Sequence, residues 1–219
     1  VGSYHLLKHN KGKGVMIGKL DNIEPRVVTV IGAGVAGTQS ISKALDNNAF
    51  VKVLDTKKSK LQKLESEFGS NNIEYILSTS DSVQSAINES DMVIGSVYVV
   101  GKEAPKVVFK DMLKSMNPGT VMVDVSIDQG GCFETSRPTT HDNPTFVEND
   151  IVHYCVTNMP GAVPLTATQA LNKVTLKYIE DLANKGVENA LTEDEHLRNG
   201  LNIKDGEITH PAVRDALNN

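Results

Sequence analysis

One stretch constrains this chain more than any other. Val27-Val28-Thr29-Val30-Ile31 is a short β-branched run, and it passes without a break into Gly32-Ala33-Gly34-Val35-Ala36-Gly37 and then into a helical pattern. A buried strand that turns at once into a helix belongs to a β-α-β unit, and such units build parallel sheets with right-handed crossovers. In the Gly-x-Gly-x-x-Gly turn, Gly32 permits the tight bend, Gly34 lets backbone approach a pyrophosphate, and Gly37 lets helix and strand pack closely. The helix start offers free N–H groups to the anion.

The rest of the chain supplies the context that a lone glycine motif lacks. Five further apolar runs follow, at 50–54, 73–77, 92–97, 121–127 and 151–156, separated by helical stretches near 35–45, 59–68, 82–88 and 110–116. The second run ends at Asp55, 18 residues beyond Gly37. There a carboxylate can accept hydrogen bonds from the adenosine ribose hydroxyls and repel a 2′-phosphate, so NAD is expected over NADP. The competing reading is a plain strand-to-helix turn with Asp55 capping the next helix. The expected fold is an α/β, doubly wound, Rossmann-type parallel sheet of about six strands over residues 1–159. From Asn158-Met159-Pro160-Gly161 onward the pattern changes to turn chemistry, then to Leu171, Val174, Tyr178 and Leu182 at helical spacing, closed by Lys185-Gly186. Residues 160–219 are too few to make a core of their own and are expected to pack on something else. Within them Glu193-Asp194-Glu195 reads as a solvated turn.

Composition narrows the function classes. Lys plus Arg number 22 and Asp plus Glu 27, a net charge of −5, which argues against a nucleic-acid binder. No apolar run reaches the roughly 18 residues of a membrane span. Two cysteines rule out a disulfide scaffold, and no cluster suggests a metal site. The chain opens Val1-Gly2-Ser3-Tyr4, with neither an initiator Met nor an export signal. The expectation is a cytoplasmic protein that lacks its front end.

A second site is expected where the fifth strand ends, since open α/β sheets bind ligands at the carboxyl ends of their strands. Val123-Asp124-Val125-Ser126-Ile127-Asp128-Gln129-Gly130-Gly131-Cys132 places Asp128 there. Its carboxylate either sits beside a nicotinamide and takes a proton or hydrogen bond from an amine, or merely caps a turn. The polar loop 130–144 is long enough to imply a task. Arg137 within it faces either cofactor phosphates or solvent. His141 and His153 are the histidines nearest the site; His153 reads as a hydrogen-bonded core residue, and Cys132 has no visible partner for nucleophilic or zinc chemistry.

The run from Val123 to Glu134, Arg137-Pro138-Thr139-Thr140, and the run from His153 to Pro164 together resemble the carboxyl-terminal part of bacterial L-alanine dehydrogenases, from about Tyr4 to Leu217. Transhydrogenase NAD domains share the sheet but match these runs less well. The resemblance implies NAD-dependent, reversible oxidative deamination of L-alanine to pyruvate and ammonium by a homo-oligomer, a hexamer in that family. It implies that Asp55, Lys60 and Ser78 hold the adenosine, that Val97 and Tyr98 line the path, and that Val125, Ser126, Ile127 and Asp128 approach the nicotinamide. Arg137 would contact cofactor, Val156, Thr157, Asn158 and Met159 would close over the nicotinamide, and Asp128 would be the catalytic aspartate. The segment from Pro160 would return to the substrate domain. That family's substrate-binding Arg and Lys and its catalytic His lie in an amino-terminal region without counterpart here, so the chain is expected to bind NAD but not to turn over alone. The rival expectations are an NAD-binding module without turnover and a transhydrogenase subunit.

Overall fold

A computed structural model describes residues 1–99 and 103–217. They form two compact units, Val1–Val99 with Glu103–Thr157, and the described residues from Asn158 onward.

After α1 (Gly2–His5) the first unit alternates strand and helix: β1 (Val27–Ile31), α2 (Val35–Asp46), β2 (Phe50–Asp55), α3 (Lys58–Phe68), β3 (Ile73–Leu77), α4 (Ser80–Glu89) and β4 (Met92–Gly95). β5 (Val121–Asp124), β6 (Thr145–Glu148) and β7 (Ile151–Tyr154) complete a seven-stranded sheet in the order β3-β2-β1-β4-β5-β7-β6. All neighbours are parallel except β6 and β7. The inner strands are mostly apolar because helices cover both faces; Val28, Val30, Val51, Val53, Val93 and Val121 are fully buried, and the polar residues among them, such as Thr29 and Lys52, are hydrogen-bonded or ion-paired. Each such side chain contributes about 1.5–3 kcal/mol by leaving water. The helices turn their apolar stripes inward, Ile41 and Ala44 from α2, Leu61 and Leu64 from α3, and Val83, Ala86 and Ile87 from α4. α4 starts in a reciprocal cap: Thr79 Oγ1 accepts the Ser82 N–H at 3.1 Å and Ser82 Oγ accepts the Thr79 N–H at 2.8 Å.

Strand order reverses between β1 and β4, and a doubly wound sheet opens its ligand crevice at the carboxyl ends beside that point. The expected parallel sheet is present, with seven strands in place of six. The additional strand, β6, pairs with β7 across a tight turn in which Asn149 and Asp150 both adopt positive φ (51° and 62°). β4 and β5 stop at Gly95 and Asp124, short of the expected 97 and 127. The Val125 N–H makes the last bond between these strands, to Gly95 O, and the chain leaves the ladder beyond it because the Asp124 carboxylate takes the Ser126 N–H. The stretch expected as a helix at 110–116 is a 3-10 helix over Lys110–Ser115.

In the second unit a 3-10 turn at Met159–Ala162 precedes α5 (Pro164–Lys185), α6 (Val187–Glu193) and α7 (Glu195–Asn199), then a small hairpin of β8 (Ile203–Lys204) and β9 (Glu207–Ile208), and α8 (Pro211–Leu217). α5 ends at Gly186 in a positive-φ conformation (74°), the stop that Lys185-Gly186 predicts. Asp194, in the acidic run read as a solvated turn, caps α7 by accepting the Leu197 N–H and pairs with Lys177 at 3.2 Å. No residue of α5 is buried. Among the described residues no helix is long and apolar enough to cross a membrane.

Candidate functional site

The glycine turn sits at the carboxyl end of β1, beside the reversal of strand order. A side chain at Gly37 would place its Cβ 1.9 Å from the Gly32 carbonyl oxygen, so α2 can lie this close to the turn only without one. Gly32 has φ +104°. At Gly34, by contrast, nothing lies within 4 Å of where a Cβ would be. Gly34 is also the N-cap of α2, with no side chain capping the helix. The first N–H groups of a 12-residue helix are therefore left for an incoming anion, the requirement of a pyrophosphate.

Asp55 closes β2 with its carboxylate 7% exposed. Oδ2 accepts the Ala33 N–H at 2.9 Å and lies 3.4 Å from Lys60 Nζ; Oδ1 accepts the Lys57 N–H at 2.8 Å. Asp55 thus holds the glycine turn. The Ser78 N–H bonds to the Asp55 carbonyl at 3.0 Å, which brings Ser78 to the same corner. A cavity of about 400 Å³ opens beside it, between Gly34, Val35 and Thr38 on one wall and Lys60 and Leu64 on the other. The residues present fit an adenosine diphosphate moiety whose ribose lacks a 2′-phosphate.

Two serines tie the ends of β1, β4 and β5 together. Ser96 Oγ donates to Gly32 O at 2.9 Å, and Ser126 Oγ donates to Val97 O at 2.7 Å. Val97 is half-buried, Tyr98 and Val125 are exposed, and Ser126 and Ile127 are buried. Asp128 lies in the single 3-10 turn Ile127–Gln129, four residues past the end of β5, with its side chain exposed. The glycine turn, Asp55, Ser78, Val97, Tyr98 and Val125 to Asp128 thus share the carboxyl edge of one sheet.

The loop 130–144 is fastened rather than loose: Phe133 bridges to Val108 and Thr139 to Val156. Arg137 stacks its guanidinium 4.1 Å from the Phe146 ring centroid, and His153 stacks on that ring at 4.8 Å. His153 is fully buried. Its Nδ1–H donates to Ile151 O, leaving Nε2 to accept the Thr135 hydroxyl, and burial lowers its pKa. It is the hydrogen-bonded core residue the sequence suggests. Burial pushes both thiols up, Cys155 to about 11 and Cys132 further, against thiolate chemistry at neutral pH. Val156 is buried, and the Thr157 N–H bonds to Thr139 O. Asn158, with φ 53°, and Met159 begin the second unit. Ser96, Asp124, Ser136 and Lys106 escaped sequence reading; for Ser96 and Asp124 the available signal was a polar residue at the end of an apolar strand, which once buried must find partners, whereas Ser136 and Lys106 lie in loops with no such signal.

Residues 1–211 match the family model described as alanine dehydrogenase/PNT, C-terminal domain. An alanine dehydrogenase of Halomonas elongata is 46% identical over 216 residues, 99% of this chain and 58% of its own length. That of Mycolicibacterium smegmatis is 45% identical over 217 residues, with the same coverage. A solved L-alanine dehydrogenase superimposes with a TM-score of 0.90 at 41% identity, covering 99% of this chain and 60% of its own. A transhydrogenase from Sinorhizobium meliloti, at 24% identity and a TM-score of 0.70, shares the fold. The chain spans just under three fifths of the length of the alanine dehydrogenases of Halomonas and Mycolicibacterium. By that match across nearly its whole length, the chain belongs to the alanine dehydrogenase/PNT C-terminal domain family, whose dinucleotide is NAD.

Proposed function

We propose that the protein carrying this chain is an oxidoreductase, an NAD-dependent L-alanine dehydrogenase that interconverts alanine with pyruvate and ammonium in the cytoplasm. Residues 1–159 are its cofactor domain and 160–219 rejoin its substrate domain. The observation that carries the reading is the 46% identity to an alanine dehydrogenase across 99% of the chain. The exposed Asp128 at the sheet edge that also bears the glycine turn supports it.

NAD, when bound, supplies the hydride acceptor. The chain's own residues bind and orient it. An ionised carboxylate has about four acceptor positions. Ala33, Lys57 and Lys60 occupy three at Asp55, so Oδ1 takes one ribose hydroxyl, and Lys60 with Ser78 serves the other side of the adenosine. The start of α2 receives the pyrophosphate. Val97, Tyr98 and Val125 to Ile127 flank the nicotinamide end, and family resemblance adds Arg137, from its place against Phe146, and Val156 with Thr157 to the cofactor's surroundings. Asp128 is the catalytic residue: its carboxylate accepts a hydrogen bond from the substrate amino group and holds that proton while the amine carbon loses hydride. By family resemblance the groups that grip the substrate carboxylate lie outside these 219 residues, so these residues alone bind NADH without oxidising alanine.

The test is alanine-dependent NADH formation, followed by absorbance, for the natural full gene product and for the 219-residue chain. Turnover by the first and none by the second is expected. NADH binding without alanine oxidation by the full product would leave an NAD-binding module instead.

A further inference from the structure

Asp124 is fully buried at the end of β5. Its Oδ1 accepts the Ser126 N–H at 3.0 Å and faces the Cys132 thiol at 3.5 Å. Its Oδ2 accepts the N–H groups of Cys132 (2.9 Å) and Phe133 (3.3 Å) and the Ser136 hydroxyl (2.5 Å). All of these donors are neutral. On the other side of the same loop, Lys106 donates from Nζ to the carbonyls of Gly130 (2.5 Å) and Gly131 (2.7 Å). The Gly131–Cys132 peptide therefore lies between two charged groups, its oxygen on an ammonium and its N–H on a carboxylate. Charge-assisted hydrogen bonds are roughly twice as strong as neutral ones, and here they act on the two ends of one peptide dipole. Gly131 has to be glycine in this arrangement: its φ is +74°, and a Cβ would come 2.7 Å from Asp124 Oδ2. The segment after β4 runs beside the loop and bonds it at Ala104 N–H to Gln129 O, Val107 N–H to Cys132 O and Glu134 N–H to Val108 O.

What these bonds enclose is the turn that carries Asp128. We infer that Asp124 and Lys106 are positioning residues that clamp the 128–131 turn through the Gly131–Cys132 peptide, fixing the backbone that carries Asp128. The inference rests on the role proposed above for Asp128; the clamp itself is testable without it.

Lys106 is exposed, so Lys106→Met should fold and bind NADH with a Kd within about threefold of wild type. The amides of 128–133 should exchange hydrogen at least about tenfold faster in hydrogen–deuterium exchange. With alanine and NAD, kcat of the full gene product should fall about tenfold or more while KM for NAD stays within about threefold. Lys106→Arg, which keeps a cation over the two carbonyls, should restore most of kcat and the slow exchange. Asp124→Asn presents an amide N–H₂ to donors and should loosen the same amides further if it folds. Exchange in Lys106→Met at the wild-type rate overturns the clamp. Faster exchange with undiminished kcat overturns its positioning role. A wild type that does not oxidise alanine defeats the proposed reaction instead, and the exchange measurement then decides the clamp alone.

Discussion

At Asp55 the local hydrogen bonds leave room for a ribose hydroxyl on Oδ1 and repel a phosphate, because the group is a buried carboxylate already bound to Ala33, Lys57 and Lys60. Asp55→Ala should weaken NADH binding by about 1.5–3 kcal/mol, the worth of a hydrogen bond to a charged group, with a smaller loss for NADPH because a repulsion is removed as well. Fluorescence titration of both nucleotides checks this; a variant that loses nothing for NADH would detach Asp55 from the ribose. His153 carries a pH dependence. Burial holds its pKa below 6.5 in the folded chain, while the unfolded chain takes up a proton near 6.5. Stability is thus at its full value above about pH 6.5 and falls as pH drops toward the folded pKa, by up to about 1.4 kcal/mol per pH unit for one such group. His5, also lowered chiefly by burial, adds in the same direction. Urea unfolding of His153→Gln, which keeps a polar partner for Thr135, should show a shallower decline between about pH 6.5 and 5 than wild type. An unchanged slope would assign the decline elsewhere.

Among the elements, the β1–α2 turn tolerates least. A Cβ at Gly37 meets the Gly32 carbonyl, so Gly37→Ala should push α2 off the strand. Overpacking of this kind costs about 1–3 kcal/mol, and the displaced helix start should lower NADH affinity at least tenfold, about 1.4 kcal/mol. Urea unfolding with NADH titration reads both, and wild-type affinity in the variant would show that the turn does not seat the pyrophosphate. Most of this layer was legible beforehand, since a strand covered on both faces leaves a continuous apolar run: β1 and β3 match their expected bounds and β2 differs by one residue. Legibility failed where side chains, not ladders, direct the backbone. β5 stops at Asp124 although Val125 and Ile127 continue the apolar run, because the Asp124 carboxylate captures the Ser126 N–H. β6 is only four residues long, follows a polar loop and owes its pairing to the Asn149-Asp150 turn. At the site, the glycine turn and Asp55 announce themselves through spacing, whereas Ser96 and Lys106 act across 64 and 24 or more residues of sequence, a separation no local pattern encodes.

For the whole molecule, the first unit contains a seven-stranded sheet, its covering helices and the edge along which the dinucleotide site is proposed, so binding of the adenosine and pyrophosphate should need nothing beyond these residues. The second unit is built differently. α5 leaves Leu171 (60%), Val174 (62%) and Ile179 (59%) exposed, an apolar stripe of the kind that promotes association. The 219-residue chain should therefore run above monomer mass in light scattering, and Leu171→Glu with Val174→Glu should lower that mass; a monomeric wild type would contradict the expectation. The central claim is that this chain is a complete NAD site. Calorimetric titration of the 219-residue chain with NADH and, separately, with NADPH tests it most directly. Saturable binding of one NADH per chain, tighter than NADPH, is the predicted result, and either no NADH binding or a preference for NADPH would contradict it.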